Sequence, residues 1–339
     1  MNAQNTKKRS DAIDMVKGLS IMTLFFLHFE NGWLNIDYNI FLVRSPAFYI
    51  VVGWLWGLSR NRRSVKDHWK KRLQGLVKPY IYFSIIFLIF DIVTIALQVQ
   101  EPFILYRDIY KTLCLRGIGT LWFLPTLLGG EILFLLLRQK RVYIKILSTI
   151  LIFVLLCLLW NELNIDPKYN DIINAPIKVL KGSSMAYIFI SMAYFISRRW
   201  GKHLLGLKKQ YLFLVGVFLL ISCFYYANHT CEYSQHINKV TIYFIYSSLA
   251  GFGILLLFTA IENFKLLSKP LVYCGKNSLI IMAIHYGLLF ELTKIIDKHL
   301  LGYEQYYGER TIIYFLIALI MQILINEFIN RKVPFIIGK

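Results

Sequence analysis

The chain has 339 residues, is 57% hydrophobic and 16% aromatic, and carries only 17% charged residues at a mean hydropathy of +0.54. A soluble domain of this size holds about a quarter charged residues, and repeated apolar runs of roughly 18 to 22 residues fit a hydrocarbon core about 30 Å thick, so a water-soluble fold is excluded. The formal net charge of +19 does not indicate a nucleic-acid binder, because Lys and Arg gather in short segments between apolar runs, where they set membrane orientation.

Ten apolar runs are predicted as spans, at roughly 13–30, 40–59, 79–99, 119–137, 142–160, 183–197, 207–227, 240–261, 277–296 and 311–330. The expected fold class is all-α: a polytopic integral-membrane helical bundle of about ten helices, without a soluble domain, over residues 1–339. Charge tests the count. With residues 1–12 and 331–339 as cytoplasmic ends and the first inner segment counted to Lys17, the inner segments hold 27 of the 38 Lys and Arg residues and the outer ones 11. That alternation suits a multi-pass protein of the inner membrane with both termini inside. No cleavable signal peptide is expected, since the polar start lacks a small-residue cleavage pattern. The five cysteines show no metal-ligand spacing; Cys114 and Cys231, both in outer loops, are expected as free thiols rather than a disulfide.

The first span carries three groups that a membrane helix should avoid: Asp14, Lys17 and His28. Lys17 and His28 are eleven residues apart, about three turns, so they share a face at about 16 Å separation along the axis. Asp14 sits within side-chain reach of Lys17 on the same stripe. Ionisable groups inside spans mark pathways or reaction sites, because burying them is costly. A lone histidine near an interface is often a packing residue. On a face shared with Lys17 and Asp14, His28 reads instead as a group that takes and returns a proton near neutral pH.

Arg44 opens the second span from outside, as an interfacial residue or as a partner for developing negative charge. Pro46 and Gly53 would let that helix bend or approach a neighbour closely. Next comes a basic cytoplasmic loop from Arg60 to Lys78, ending at Pro79, which suits a helix start. Its cations fit either phosphate binding or anionic lipid headgroups. Trp122, in the fourth span, is an interfacial anchor or a pocket wall. Glu131 lies deeper, with no compensating neighbour in sequence, and is expected to make a helix–helix hydrogen bond. Asn277 and Ser278 start the ninth span, and His285 falls mid-membrane, as a structural hydrogen bond or a second site group.

These segments together resemble the membrane acyltransferase-3 family, integral-membrane O-acyltransferases that modify bacterial surface glycans. Lys17, ten intervening residues and His28 look like the family's Arg/Lys-x10-His signature. Arg44-Ser-Pro-Ala-Phe-Tyr-Ile-Val-Val-Gly-Trp is similar to its second-span motif, Leu121-Trp-Phe-Leu-Pro to its fourth, and Gly275-Lys-Asn-Ser-Leu with His285 to its late motif. The chain departs at two places. The family's Arg-x-x-Arg before the third span appears as Arg72 followed by Gly75, with Lys71 and Lys78 as substitutes, and the Ser before the second-span Gly is Val52.

The resemblance implies a cytoplasmic acetyl-CoA (or other acyl-CoA) co-substrate and an outer hydroxyl acceptor on an envelope polysaccharide or lipid-linked sugar. His28, Asp14, Lys17 and Arg44 would be catalytic, Lys71, Arg72 and Lys78 would hold the CoA phosphates, and Trp122 and His285 would line the substrate pocket. Acylation of a hydroxyl needs no bound metal or redox cofactor. Expected partners are acetyl-CoA, the acceptor and the bilayer, with no nucleic acid. Two rival readings are a transporter or flippase of a lipid-linked glycan and a non-catalytic partner of a glycan synthase. No repeated halves are visible, which weighs against a carrier.

Overall fold

The computed structural model describes residues 10–30, 44–59, 65–159, 167–230, 236–302 and 310–339. The described residues are mostly helical and form no strand. Seven helical stretches are long and apolar enough to cross a membrane: 11–29, 67–96, 119–138, 175–206, 240–261, 278–298 and 310–332. Three shorter apolar helices, 46–58, 142–158 and 209–225, occupy the remaining runs that the sequence marks.

The helices are α1 (Asp11–Glu30), α2 (Arg44–Leu58), α3 (Val65–Arg72), α4 (Lys78–Ala96), α5 (Phe103–Leu113), α6 (Phe123–Arg138), α7 (Val142–Leu158), α8 (Pro167–Ile173), α9 (Ala175–Gly206), α10 (Lys209–Thr230), α11 (His236–Ile261), α12 (Lys265–Lys276), α13 (Ser278–Ile284), α14 (Glu291–Ile295) and α15 (Arg310–Lys332). Wide π turns at Leu73–Val77, His285–Phe290 and Ile296–Leu300, and single 3-10 turns at Gly119–Trp122 and Pro334–Ile337, connect or extend them.

Small residues decide which helices touch. Lipid tails are as apolar as leucine, so close backbone approach matters more than hydrophobicity between spans. Gly53 and Gly57 lie one turn apart on α2; a Cβ on Gly53 would fall 2.2 Å from the Ile190 carbonyl oxygen of α9, and one on Gly57 2.7 Å from that of Tyr194. The Ser197 hydroxyl donates to the Trp54 carbonyl across this seam at 2.8 Å. Gly130 of α6 approaches Ala186 of α9 in the same manner. Helix α9 is thus the spine on which α2 and α6 lie. The opposite faces of the outer helices are apolar and exposed, as with Leu147, Ile150, Leu151, Val154 and Leu158 along α7, which suits lipid rather than water.

The basic segment expected as a loop is helical from Val65 onward, which corrects the sequence reading. Pro79 lacks an N–H and its ring would strike the carbonyl four residues back. The chain absorbs this by widening into the π turn just before it, where the Lys78 N–H reaches the Leu73 carbonyl, and the helix continues without a break.

Candidate active site

The inner end of the α1 stripe is built as the spacing predicts. Asp14 is fully buried and its carboxylate accepts a bond from the Lys17 ammonium at 3.3 Å. What the sequence does not show is the partner. A Cβ on Gly275 would lie 1.9 Å from the Asp14 carbonyl oxygen, and one on Gly18 would lie 2.0 Å from that of Leu271. Helix α12 therefore rests on the bare backbone of α1 at the Asp14–Gly18 turn, and the late glycine motif is the surface against which the first motif packs.

At the other end of α1, the half-buried His28 ring lies 5.3 Å from the His285 ring and 4.3 Å from the Tyr286 ring, centroid to centroid. His285 is completely buried against Phe25. Its Nδ1 stands 2.7 Å from the Ile281 carbonyl oxygen. A carbonyl only accepts, so Nδ1 carries the proton and Nε2 keeps a lone pair, which makes no hydrogen bond among the described residues. His285 also begins a π turn, a local widening that recurs at functional sites.

The Gly119–Trp122 turn closes this end. Gly119 has φ +54° and abuts Gly287, while the Thr120 hydroxyl donates to the Met282 carbonyl. Trp122 is half-buried beneath the Arg116 guanidinium, 5.9 Å from its ring centroid. The second-span motif joins through Tyr49, stacked on Phe123 at 5.3 Å and hydrogen-bonded to Thr126 at 3.2 Å. All four motif stretches thus meet around α1 and α6. Arg44 is the first residue of α2, and its side chain lies outside the described residues, as does Cys231; Cys114 is a free thiol.

Glu131 needs a correction. The sequence reading leaves it uncompensated, but Arg72, 59 residues away in sequence, forms an ion pair with it, and His68 Nε2 lies 3.7 Å from its other oxygen. His68 in turn lies beside Trp56, with ring centroids 4.8 Å apart, and Arg138 covers the same indole at 4.8 Å. Arg72 is therefore shared with a buried carboxylate, while Lys71 and Lys78 are exposed. Asn277 makes no capping bond; its side chain donates to the Tyr273 carbonyl and accepts from Asn330, tying the α12–α13 junction to α15.

A second charged network was not anticipated. Lys111, 7% exposed, bridges Asp108 at 3.7 Å and Asp171 at 2.6 Å; Lys178 adds a contact to Asp171 at 3.0 Å, and Arg107 holds Asp108 at 2.7 Å. Burial works against ionisation of Asp171, but the Lys111 and Lys178 ammoniums outweigh it and hold the carboxyl well below the usual carboxylate range. Near this network lies Asp91, the single acidic residue of the 79–99 run. An acid inside an apolar run was a readable signal. A separate surface groove of about 510 Å³, lined by Lys209, Phe213, Leu214 and Ile261 among others, shares no residue with the His28 neighbourhood.

No curated protein and no solved structure matches the chain. A family model described as an acyltransferase domain matches residues 10–326, from the start of α1 into α15. The matched stretch takes in the buried Asp14–Lys17 pair, the His28–His285–Tyr286 cluster and the Arg72–Glu131 pair, and the chain belongs to the acyltransferase-3 family of membrane acyltransferases.

Proposed function

We propose that the chain is a multi-pass, ten-span, single-domain O-acyltransferase of the inner membrane, with both termini cytoplasmic. It moves an acetyl group from cytoplasmic acetyl-CoA to a hydroxyl of an envelope polysaccharide or lipid-linked sugar. The observation that carries this reading is the His28 imidazole, set beside His285 and Tyr286 at the opposite end of α1 from the Asp14–Lys17 pair.

In this reading His28 removes the acceptor's hydroxyl proton as the oxygen attacks the thioester carbonyl carbon. The carbon–sulfur bond of the tetrahedral intermediate then breaks, and the departing CoA thiolate takes the proton from the His28 imidazolium. Histidine acting as an acylated nucleophile is the less economical route. Arg44 balances the oxyanion; donors aimed at such a charge are commonly worth about 3 to 4 kcal/mol. Lys71 and Lys78 meet the CoA phosphates with Arg72, whose guanidinium is held in place by Glu131. Trp122 and His285 line the acceptor side.

The test is mass spectrometry of envelope glycans from cells with and without the gene, alongside purified protein given labelled acetyl-CoA. Loss of an O-acetyl group in the deleted strain, and label on the glycan in vitro, support the reading. An intact thioester in the presence of every glycan fraction overturns it.

A further inference from the structure

The acyl-transfer reading leaves Asp91 without a task. It is 5% exposed, and its carboxylate makes no hydrogen bond or ion pair among the described residues. The other acids of the network are structurally employed: Asp108 is held within α5 by Arg107 and Lys111, and Asp171 is clasped by Lys111 and Lys178, which ties α5 and α9 to α8. Asp91 has no such role, although burying a bare carboxylate is costly. It lies in the field of Asp108, Arg107, Lys111 and Glu291, so it borders the charged network without being neutralised by contact.

Its position relative to His28 is traceable contact by contact. Asp91 and Phe87 are one turn apart on the buried face of α4. Phe87 closes on Gly287, where a Cβ would fall 2.9 Å from the ring. Gly287 adjoins Tyr286, whose ring lies 4.3 Å from that of His28. Tyr286 itself lies in the field of Glu291, Asp171 and Arg107. The α4 face that carries Asp91 thus leads by way of Phe87, Gly287 and Tyr286 to the His28 ring, and Arg107 and Glu291 act on both Asp91 and Tyr286.

We infer that Asp91, with Arg107, Lys111 and Tyr286, forms the recognition site for the acceptor, a carbohydrate presenting several free hydroxyls. The inference rests on the acyl-transfer reading above. A carboxylate accepts bonds from neighbouring hydroxyls of a sugar; a guanidinium and an ammonium donate to its ring and hydroxyl oxygens; a tyrosine face suits its C–H face.

Purified chain in lipid nanodiscs is compared as wild type, Asp91→Asn and Arg107→Gln, using labelled acetyl-CoA and envelope glycan stripped of its ester groups by mild alkali. Asp91→Asn is expected to raise the KM for glycan at least about tenfold, the scale of one charge-assisted hydrogen bond, while the KM for acetyl-CoA stays within about twofold. Arg107→Gln shifts the glycan KM in the same direction. An unchanged glycan KM in both variants, or equal rises for glycan and acetyl-CoA, overturns the inference. If Asp91→Asn does not accumulate as folded protein, Asp91→Glu and Arg107→Gln decide by the same criterion. Wild-type protein that transfers no label overturns the acyl-transfer reading instead.

Discussion

Gly275 meets Asp14 backbone to backbone: a methyl group on Gly275 would fall 1.9 Å from the Asp14 carbonyl oxygen, with no flexible side chain available to yield. Gly275→Ala should therefore force α1 and α12 apart and lower stability by about 1 to 3 kcal/mol, the usual cost of overpacking. Gly206→Ala serves as the control, since nothing lies within 4 Å of its added carbon. Thermal inactivation of the two variants in detergent should separate them by several degrees; equal midpoints would refute the close approach.

His28→Ala should lower acetyl transfer at least about 100-fold, the lower end of what a general base contributes. Binding of acetyl-CoA, followed by quenching of intrinsic tryptophan fluorescence, should change little. Parallel loss of binding would mean that the imidazole holds the donor rather than moving a proton.

His285→Phe keeps a flat ring beside Phe25 but deletes the Nδ1 bond to Ile281 and the Nε2 lone pair. Transfer should fall by about tenfold with the melting midpoint nearly kept, because one neutral hydrogen bond contributes only about 1 kcal/mol net. A large drop in midpoint with full specific activity would reduce His285 to a structural residue.

Glu131 and Arg72 should fail non-additively. Glu131→Gln leaves the guanidinium with a weakened partner, and Arg72→Gln leaves a buried carboxylate with His68 as its basic neighbour among the described residues. Denaturation of the two single variants and the double variant should give a coupling of about 1 to 3 kcal/mol. Additive losses would show that the pair contributes nothing as a pair.

Asp171 supplies the pH dependence. Its carboxyl titrates below the ordinary range when folded, so it adds stability above its unfolded pKa of about 3.9, and that increment fades as pH falls through the lower folded value. Wild type should melt above Asp171→Asn by a constant margin between about pH 5 and 7, and the curves should converge below about pH 4. The Asp171 side chain is 37% exposed, so solvent screening keeps the margin to a few degrees. A gap that widens on acidification would contradict the ion-pair assignment.

The α1 site was legible because its logic is local. Eleven residues at helical pitch put Lys17 and His28 on one stripe, and three residues put Asp14 on Lys17. The Arg72–Glu131 pair was not legible, since helix-to-helix registry across 59 residues depends on packing that no local pattern encodes. The π turns escaped for a different reason. They insert a residue into a helix without altering its apolar periodicity enough to read, and the Pro79 signal pointed to a helix start where the helix runs straight through. Asp91 stands out in the sequence as the single acid of an apolar run, but what surrounds it depends on α5 and the Glu291 turn, which no local pattern brings to it.

The wide turn at His285–Phe290 acts as a vernier on the helix that carries it. Each α residue advances the chain by about 100°, so restoring the ordinary pitch there with every residue kept would swing the segments on either side of the turn against each other by more than a quarter revolution. His285 and Tyr286 could not then both keep their places against His28. A single surplus peptide unit thus keys the angular setting of the second histidine, and a further residue inserted there, adding about 100° that nothing absorbs, should do more harm than most side-chain changes around it.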